Sequence, residues 1–168
     1  MRRKEKNYVV DVAGLTLHIR GGSLYTTPQI IGEVRESLRE ALIRSRVEGR
    51  AIIIREAEPK YVKRALAEAD KMGDRRVLSE ADVSLLALFL EMCDQGEGPV
   101  LLTDDYALQN IASSLGLEVQ TIVGRKIREI IIWKVYCPLC NKSFSPDFRG
   151  DRCPECLTPL TRKAISKR

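Results

Sequence analysis

Two short stretches near the end of the chain constrain it most: Cys137-Pro138-Leu139-Cys140 and Cys153-Pro154-Glu155-Cys156, with twelve residues between them. Each Cys-x-x-Cys is a tight turn presenting two thiolates, and two such turns can offer four sulfurs to one Zn²⁺, tetrahedral at about 2.3 Å. The spacer is shorter than the roughly 15–20 residues usual in ribbons, and the competing readings are two disulfides or free thiols. A four-thiolate zinc has no open coordination position, so it builds structure and does no chemistry. Cys137, Cys140, Cys153 and Cys156 are therefore expected to hold one structural zinc, and any catalysis must lie upstream.

A length of 168 residues suits one ordinary domain plus such a module, and 44% hydrophobic against 30% charged content argues against wholesale disorder. No apolar run is long enough for a membrane span. The opening Met1-Arg2-Arg3-Lys4 precedes no apolar core of a secretory signal. Five cysteines, four of them in a metal pattern, point to a reducing cytoplasm, and Cys93, in an apolar run, reads as a core residue. No Gly-rich phosphate loop ending in Lys-Ser/Thr appears, so no nucleotide cofactor is expected. Charge is unevenly placed: residues 121–168 carry eleven Lys/Arg against four Asp/Glu, residues 1–120 seventeen against nineteen. A mildly acidic body with a basic appendage points to a polyanion partner, or to a merely solvated tail.

Strand-like and helix-like runs alternate ahead of the cysteines. Asn7 to Val12 reads as a buried strand with Asp11 near its end, and Ala13 to Thr27, with three glycines, as a loop or broken helix. Thr27-Pro28 opens a helix whose Ile30, Val34, Leu38 and Leu42 keep helical spacing through Val47, until Gly49. Arg50 to Arg55 is a strand. Helices follow over Pro59–Met72 and Ser79–Cys93, the second apolar on most faces and hence buried. Val100–Thr103 is a strand running into Asp104-Asp105, Tyr106–Leu115 a helix, and Val119–Val123 a strand. Ile130–Val135 is a last strand leading into the cysteines. This alternation implies an α/β fold, a parallel sheet flanked by helices on both faces. The expected organisation is that domain over 1–124, a basic connector and strand over 125–135, and a four-cysteine ribbon with a mobile basic tail over 136–168.

In such a sheet, sites form beyond the carboxyl ends of the strands. Asp11 and the pair Asp104/Asp105 fall there. A buried acid is unfavourable unless compensated, and Mg²⁺ or Mn²⁺ would compensate well. Each acid also has an ordinary reading. Asp104 or Asp105 would cap the helix behind it, and Asp82, three residues after Ser79, has a capping-box spacing. Glu33 would be a surface acid, although no basic neighbour stands one turn away. Asp11 has the poorest ordinary reading, because no helix pattern starts directly behind it.

Together these residues carry a resemblance. Asp11, Glu33 after Tyr25-Thr26-Thr27-Pro28, Leu78-Ser79-Glu80-Ala81-Asp82, and Leu102-Thr103-Asp104-Asp105-Tyr106-Ala107-Leu108-Gln109-Asn110 resemble the four acidic motifs of PIN-domain nucleases. The Asp-Tyr-Ala-Leu-Gln-Asn run followed by a four-cysteine ribbon is similar to the Nin-one-binding family among them, in its short archaeal form, over residues 7–160. The resemblance implies a PIN-like parallel sheet and a metal-dependent endoribonuclease. Such an enzyme matures the 3′ end of small-subunit rRNA by hydrolysis, leaving 5′-phosphate and 3′-hydroxyl. It implies one or two catalytic Mn²⁺ or Mg²⁺ ions held by Asp11, Asp82 and Asp105, with Glu33 and Thr103 completing the catalytic set. The family's Thr-x-Asp selects Asp105 and leaves Asp104 second. One departure stands out: Ala13 occupies a place where many PIN domains carry Ser or Thr.

Implied partners are precursor small-subunit rRNA, the pre-ribosomal particle and other assembly factors. The competing functions are a toxin-like PIN ribonuclease, against which the ribbon argues, and a non-catalytic RNA-binding assembly factor. The single histidine, His18, excludes a two-histidine ribonuclease mechanism by count. RNA must be gripped away from the acids, since carboxylates repel phosphate. Arg75, Arg76, Arg125, Lys126, Arg128, Lys134, Lys142, Arg149 and Arg152 are the expected phosphate contacts. Trp133, Tyr136, Phe144 and Phe148 could stack on unpaired bases, although a small core around the zinc is their simpler role.

Overall fold

The computed structural model describes residues 6–19, 21–34, 37–145, 148 and 150–167, without the side chains of 37–39 and 166–167. Strands β1 (Lys6–Val10), β2 (Gly22–Thr26), β3 (Ile52–Ile54), β4 (Val100–Leu102) and β5 (Val119–Gln120) form one parallel sheet in the order β3-β2-β1-β4-β5. The chain works outward from β1 in one direction, then crosses back to place β4 on its other side. The order therefore reverses between β1 and β4, and crevices in open parallel sheets form at that reversal, beyond the carboxyl ends.

Helices α1 (Pro28–Gly32), α2 (Ser37–Glu48), α3 (Pro59–Met72), α4 (Glu80–Asp94) and α5 (Tyr106–Ser114) connect the strands. Leu85 through Leu90 of α4 are all buried, as expected of a helix apolar on most faces. Val9, Val10, Leu24, Ile52 and Leu101 join them in one core. Each such side chain contributes about 1.5–3 kcal/mol by leaving water. Among the described residues no helix is long and apolar enough to cross a membrane.

The structure departs from the sequence reading at several points. The Gly-rich segment contains a full strand, β2, whose Leu24 and Thr26 face the core. The helix expected from Pro28 to Val47 is two helices. The chain leaves α1 after Gly32, where Glu33 and Val34 close tighter turns onto Ile30 and Ile31, and glycine is about 1 kcal/mol worse than Ala inside a helix. Leu42 is half exposed while Ile43 is buried. The strand expected to Val123 stops at Gln120, because the amides of 122–124 are drawn to Asp104 instead.

A second, antiparallel sheet has the order β7-β6-β8, from β6 (Ile131–Tyr136), β7 (Ser143–Phe144) and β8 (Thr161–Lys167). Residues 162 and 163 are therefore strand residues and not the mobile tail expected; Arg168 lies outside the described residues. The Phe144 and Phe148 rings pack at 4.7 Å, and Arg162 and Lys163 lie over Trp133 and Tyr136 at 4.9 and 4.7 Å. This sheet is seated on the loop after α3. Arg162 donates to the Gly73 carbonyl and to Asp74 Oδ1, both at 3.1 Å. Arg76 donates to the carbonyls of Phe148, at 2.8 Å, and Gly150.

Candidate active site

Asp11 follows β1 and the Asp104-Asp105 pair follows β4, so both flank the reversal in strand order. Thr103 joins them. Its hydroxyl donates to Asp11 Oδ2 at 2.5 Å and accepts the backbone N–H of Asp105 at 3.0 Å. The other Asp11 oxygen accepts from Gly14 N–H at 3.0 Å. Burial pushes the Asp11 carboxyl above its ordinary range, the bonds from Thr103, Gly14 and Ala13 pull it partly back, and the neighbouring Asp104 charge pushes it up further. A dication beside Asp11 would relieve both the desolvation and the repulsion.

The adjacent acids behave differently. Asp104 accepts from Ile122, Val123 and Gly124 N–H at 2.8–3.1 Å. Burial raises its carboxyl, but these three bonds outweigh it and hold the group below the usual range. Asp104 is thus an anchor for the loop after β5. Asp105 caps α5 through one oxygen, accepting Leu108 N–H at 2.8 Å. Asp82 likewise spends one oxygen in a capping box with Ser79, at 2.8 Å. Among the described residues the second oxygens of Asp82 and Asp105 carry no hydrogen bond.

The first turn of α4 is tied to the same edge of the sheet. Ser84, two residues beyond Asp82, lies 2.7 Å from Thr27 at the end of β2. Glu33, exposed, follows α1, which begins at that same Thr27. All four acids therefore come from elements ending or starting at the carboxyl edge. They do not close into one shell: among the described residues no three carboxylates offer atoms within 4.8 Å of one another. A hard dication still suits this donor set, since Mg²⁺ keeps several waters and takes only one or two carboxylates directly.

The four cysteines do close. Their sulfurs all lie within 4.8 Å, with Cys137 to Cys156 at 3.4 Å and Cys140 to Cys153 at 3.7 Å. Tetrahedral sulfur about 2.3 Å from zinc requires sulfurs about 3.8 Å apart, whereas a disulfide needs about 2.05 Å. The two turns are built alike. In each, the first cysteine's N–H bonds a carbonyl five residues on, Lys142 or Thr158, at 2.8 and 2.9 Å. In each, the residue after the second cysteine has positive φ, Asn141 at 59° and Leu157 at 57°.

The expected basic contacts scatter. Arg76 is committed to the Phe148 and Gly150 carbonyls, Arg152 donates to Leu157 O at 3.0 Å, and Lys142 pairs with Glu155. The Arg75 Nε is buried. Lys134 is partly buried, Arg125, Lys126 and Arg128 are exposed, and Arg149 lies outside the described residues. His18 is exposed. Sequence reasoning missed the roles of Asp74, Gln109 and Arg162, which depend on partners 18 to 88 residues away, and of Gly14, whose N–H bond to Asp11 is local.

A family described as the PIN domain of ribonuclease matches residues 9–92. Endoribonuclease Nob1 of Methanocaldococcus jannaschii is 31% identical over 150 residues, which is 89% of this chain and 72% of that protein. Endoribonuclease Nob1 of Pyrococcus abyssi is 32% identical over 144 residues, 86% of this chain and 84% of its own length. Ribonuclease VapC1 of Thermoplasma acidophilum is 31% identical over 142 residues, 82% of this chain and 69% of its own.

Proposed function

The chain belongs to the PIN-domain ribonuclease family, and from that premise we propose that it is a Mg²⁺- or Mn²⁺-dependent endoribonuclease maturing the 3′ end of small-subunit rRNA in the cytoplasm. The observation that carries this reading is the desolvated Asp11, linked through Thr103 to the backbone of Asp105 where the strand order reverses. Asp11, Asp82 and Asp105 would hold the ion, with Glu33 at the same edge and Asp104 as loop anchor. When bound, the ion lowers the pKa of a water and offsets charge on the scissile phosphate.

The chain's own residues do the positioning. The Thr103 hydroxyl fixes the Asp11 carboxylate, and backbone N–H groups fix Asp82 and Asp105 through one oxygen each. The N-termini of α4 and α5 lie at the site, and their partial positive charge favours an approaching phosphate. Arg125, Lys126 and Arg128, exposed on the connector, supply backbone grip outside the acids. The cysteine zinc holds the ribbon and takes no part in hydrolysis.

Purified protein with Mn²⁺ is expected to cut a precursor containing the small-subunit 3′ end, leaving 5′-phosphate and 3′-hydroxyl. Equal cutting by Asp11→Asn would refute the assigned chemistry. One observation favours a second reading, a non-catalytic RNA-binding assembly factor: the carboxylates do not close among themselves. Intact RNA binding without Mn²⁺ binding at the acids would select that reading.

A further inference from the structure

Asp74 and Asn110 belong to neither metal site, yet they are 1% and 0% exposed where the two sheets meet. The Asn110 amide donates to Asp74 Oδ2 and to the Ile131 carbonyl, both at 2.7 Å, and accepts from Ile131 N–H at 2.8 Å. It thus pairs with the first residue of β6 as a neighbouring strand would. The other Asp74 oxygen takes Arg162 of β8 at 3.1 Å. Beside Asn110, Gln109 donates to the Thr103 carbonyl at 3.3 Å and accepts Ile127 N–H at 3.1 Å.

These anchor points lead directly to the acids. Helix α5, which carries Gln109 and Asn110, begins at its cap Asp105. The loop that carries Gly73, Asp74 and Arg76 ends at Ser79, whose capping box holds Asp82. The antiparallel sheet therefore sits on the two segments whose ends present Asp82 and Asp105. Gln109 also holds the carbonyl of Thr103, whose hydroxyl holds Asp11. Since no three carboxylates approach within 4.8 Å among the described residues, their spacing is set by where those segments rest.

Resting on the nuclease reading above, we propose that Asn110 and Asp74 are positioning residues: their contact with β6 and β8 couples the seating of the four-cysteine sheet to the spacing of Asp82 and Asp105, and so to dication binding and turnover. Neither side chain touches RNA or the ion. The ribbon is then a brace for the acids.

The test uses the full zinc-loaded chain. Mn²⁺ binding is read by water-proton relaxation, without turnover, while cleavage kinetics separate kcat from KM and thermal melting reports folding. Asn110→Ala, held well below its melting temperature, is expected to weaken Mn²⁺ binding and lower kcat by about 10- to 100-fold, as the loss of outer-shell partners does. KM for RNA should move less. Arg162→Ala cuts the same contact from the ribbon side and leaves every residue of the parallel-sheet domain in place; it should shift both quantities in the same direction. If both variants melt earlier but keep wild-type Mn²⁺ binding and kcat while folded, the coupling is overturned. Failure of the nuclease reading is separate and shows in a different comparison: wild type would then bind Mn²⁺ no better than Asp11→Asn.

Discussion

Substituting Gly73 tests how the ribbon is seated. Gly73 ends α3 with φ 70°, and a Cβ there would meet the Trp133 carbonyl carbon at 2.8 Å, with the oxygen closer still. Carbon atoms prefer about 3.5–4.0 Å, so β6 would have to retreat by roughly 1 Å. That movement also pulls Arg162 from the Gly73 carbonyl and from Asp74, which is 1% exposed. Gly116 supplies the control, with φ also 70° and nothing within 4 Å of its would-be Cβ. Gly116→Ala should therefore lose only the left-handed strain, about 1–2 kcal/mol. Gly73→Ala adds the disrupted Arg162–Asp74 contact, where breaking a buried pair costs about 3–5 kcal/mol, for a total of about 4–7 kcal/mol. The single tryptophan, Trp133, lies at this junction with its indole nitrogen buried. Its fluorescence should shift to the red in Gly73→Ala, with helix content by circular dichroism unchanged, and should not shift in Gly116→Ala. Equal stability losses and equal spectra in the two variants would refute the argument that the ribbon rests on this turn.

Other outcomes follow from single residues. Leu157 holds φ 57° at the place where the first knuckle uses Asn141, so Leu157→Asn should stabilise the ribbon by about 1 kcal/mol, measured as slower zinc loss to a chelator. Burial raises the Asp74 carboxyl pKa more than Asn110 and Arg162 lower it. The folded state then holds that proton longer than the unfolded state does, so stability falls as pH rises from the unfolded value near 3.8 through the raised folded value. Asp74→Asn should flatten that part of the melting-temperature profile, and an unchanged slope would contradict the assignment. Removing Arg125, Lys126 and Arg128 together should reduce the slope of log affinity for single-stranded RNA against log salt by about 2, at about 0.7 per phosphate contact.

What was legible in the sequence was mostly local. The cysteine knuckles are read from spacing because a turn is enough to pair two thiolates. Helix α3 is bracketed by Pro59 and Gly73, and α4 by the Ser79–Asp82 box, so both are delimited by their own residues. Strand β2 was hidden because Gly21 and Gly22 read as a loop, although its buried Thr26 hydroxyl donates to the Val10 carbonyl across the sheet, at 3.0 Å. Strand β8 was hidden because Arg162 and Lys163 read as a solvated tail, and Arg162 finds its buried partner 88 residues away. At the site, the ordinary and the functional readings of Asp82 and Asp105 are compatible. Each caps its helix with one oxygen, which leaves the second for another task. Asp104 and Asp105 could not be ranked from local pattern, because the three amides that engage Asp104 come from the loop after β5.

Crystals soaked in Mn²⁺ and measured at the manganese absorption edge would locate the ion directly. We expect an anomalous peak bonded to Asp11, with Asp82 and Asp105 reaching it directly or through one water, and with separate density for zinc among the four sulfurs. Zinc density alone, with no manganese at the carboxyl edge of the parallel sheet, would contradict the account.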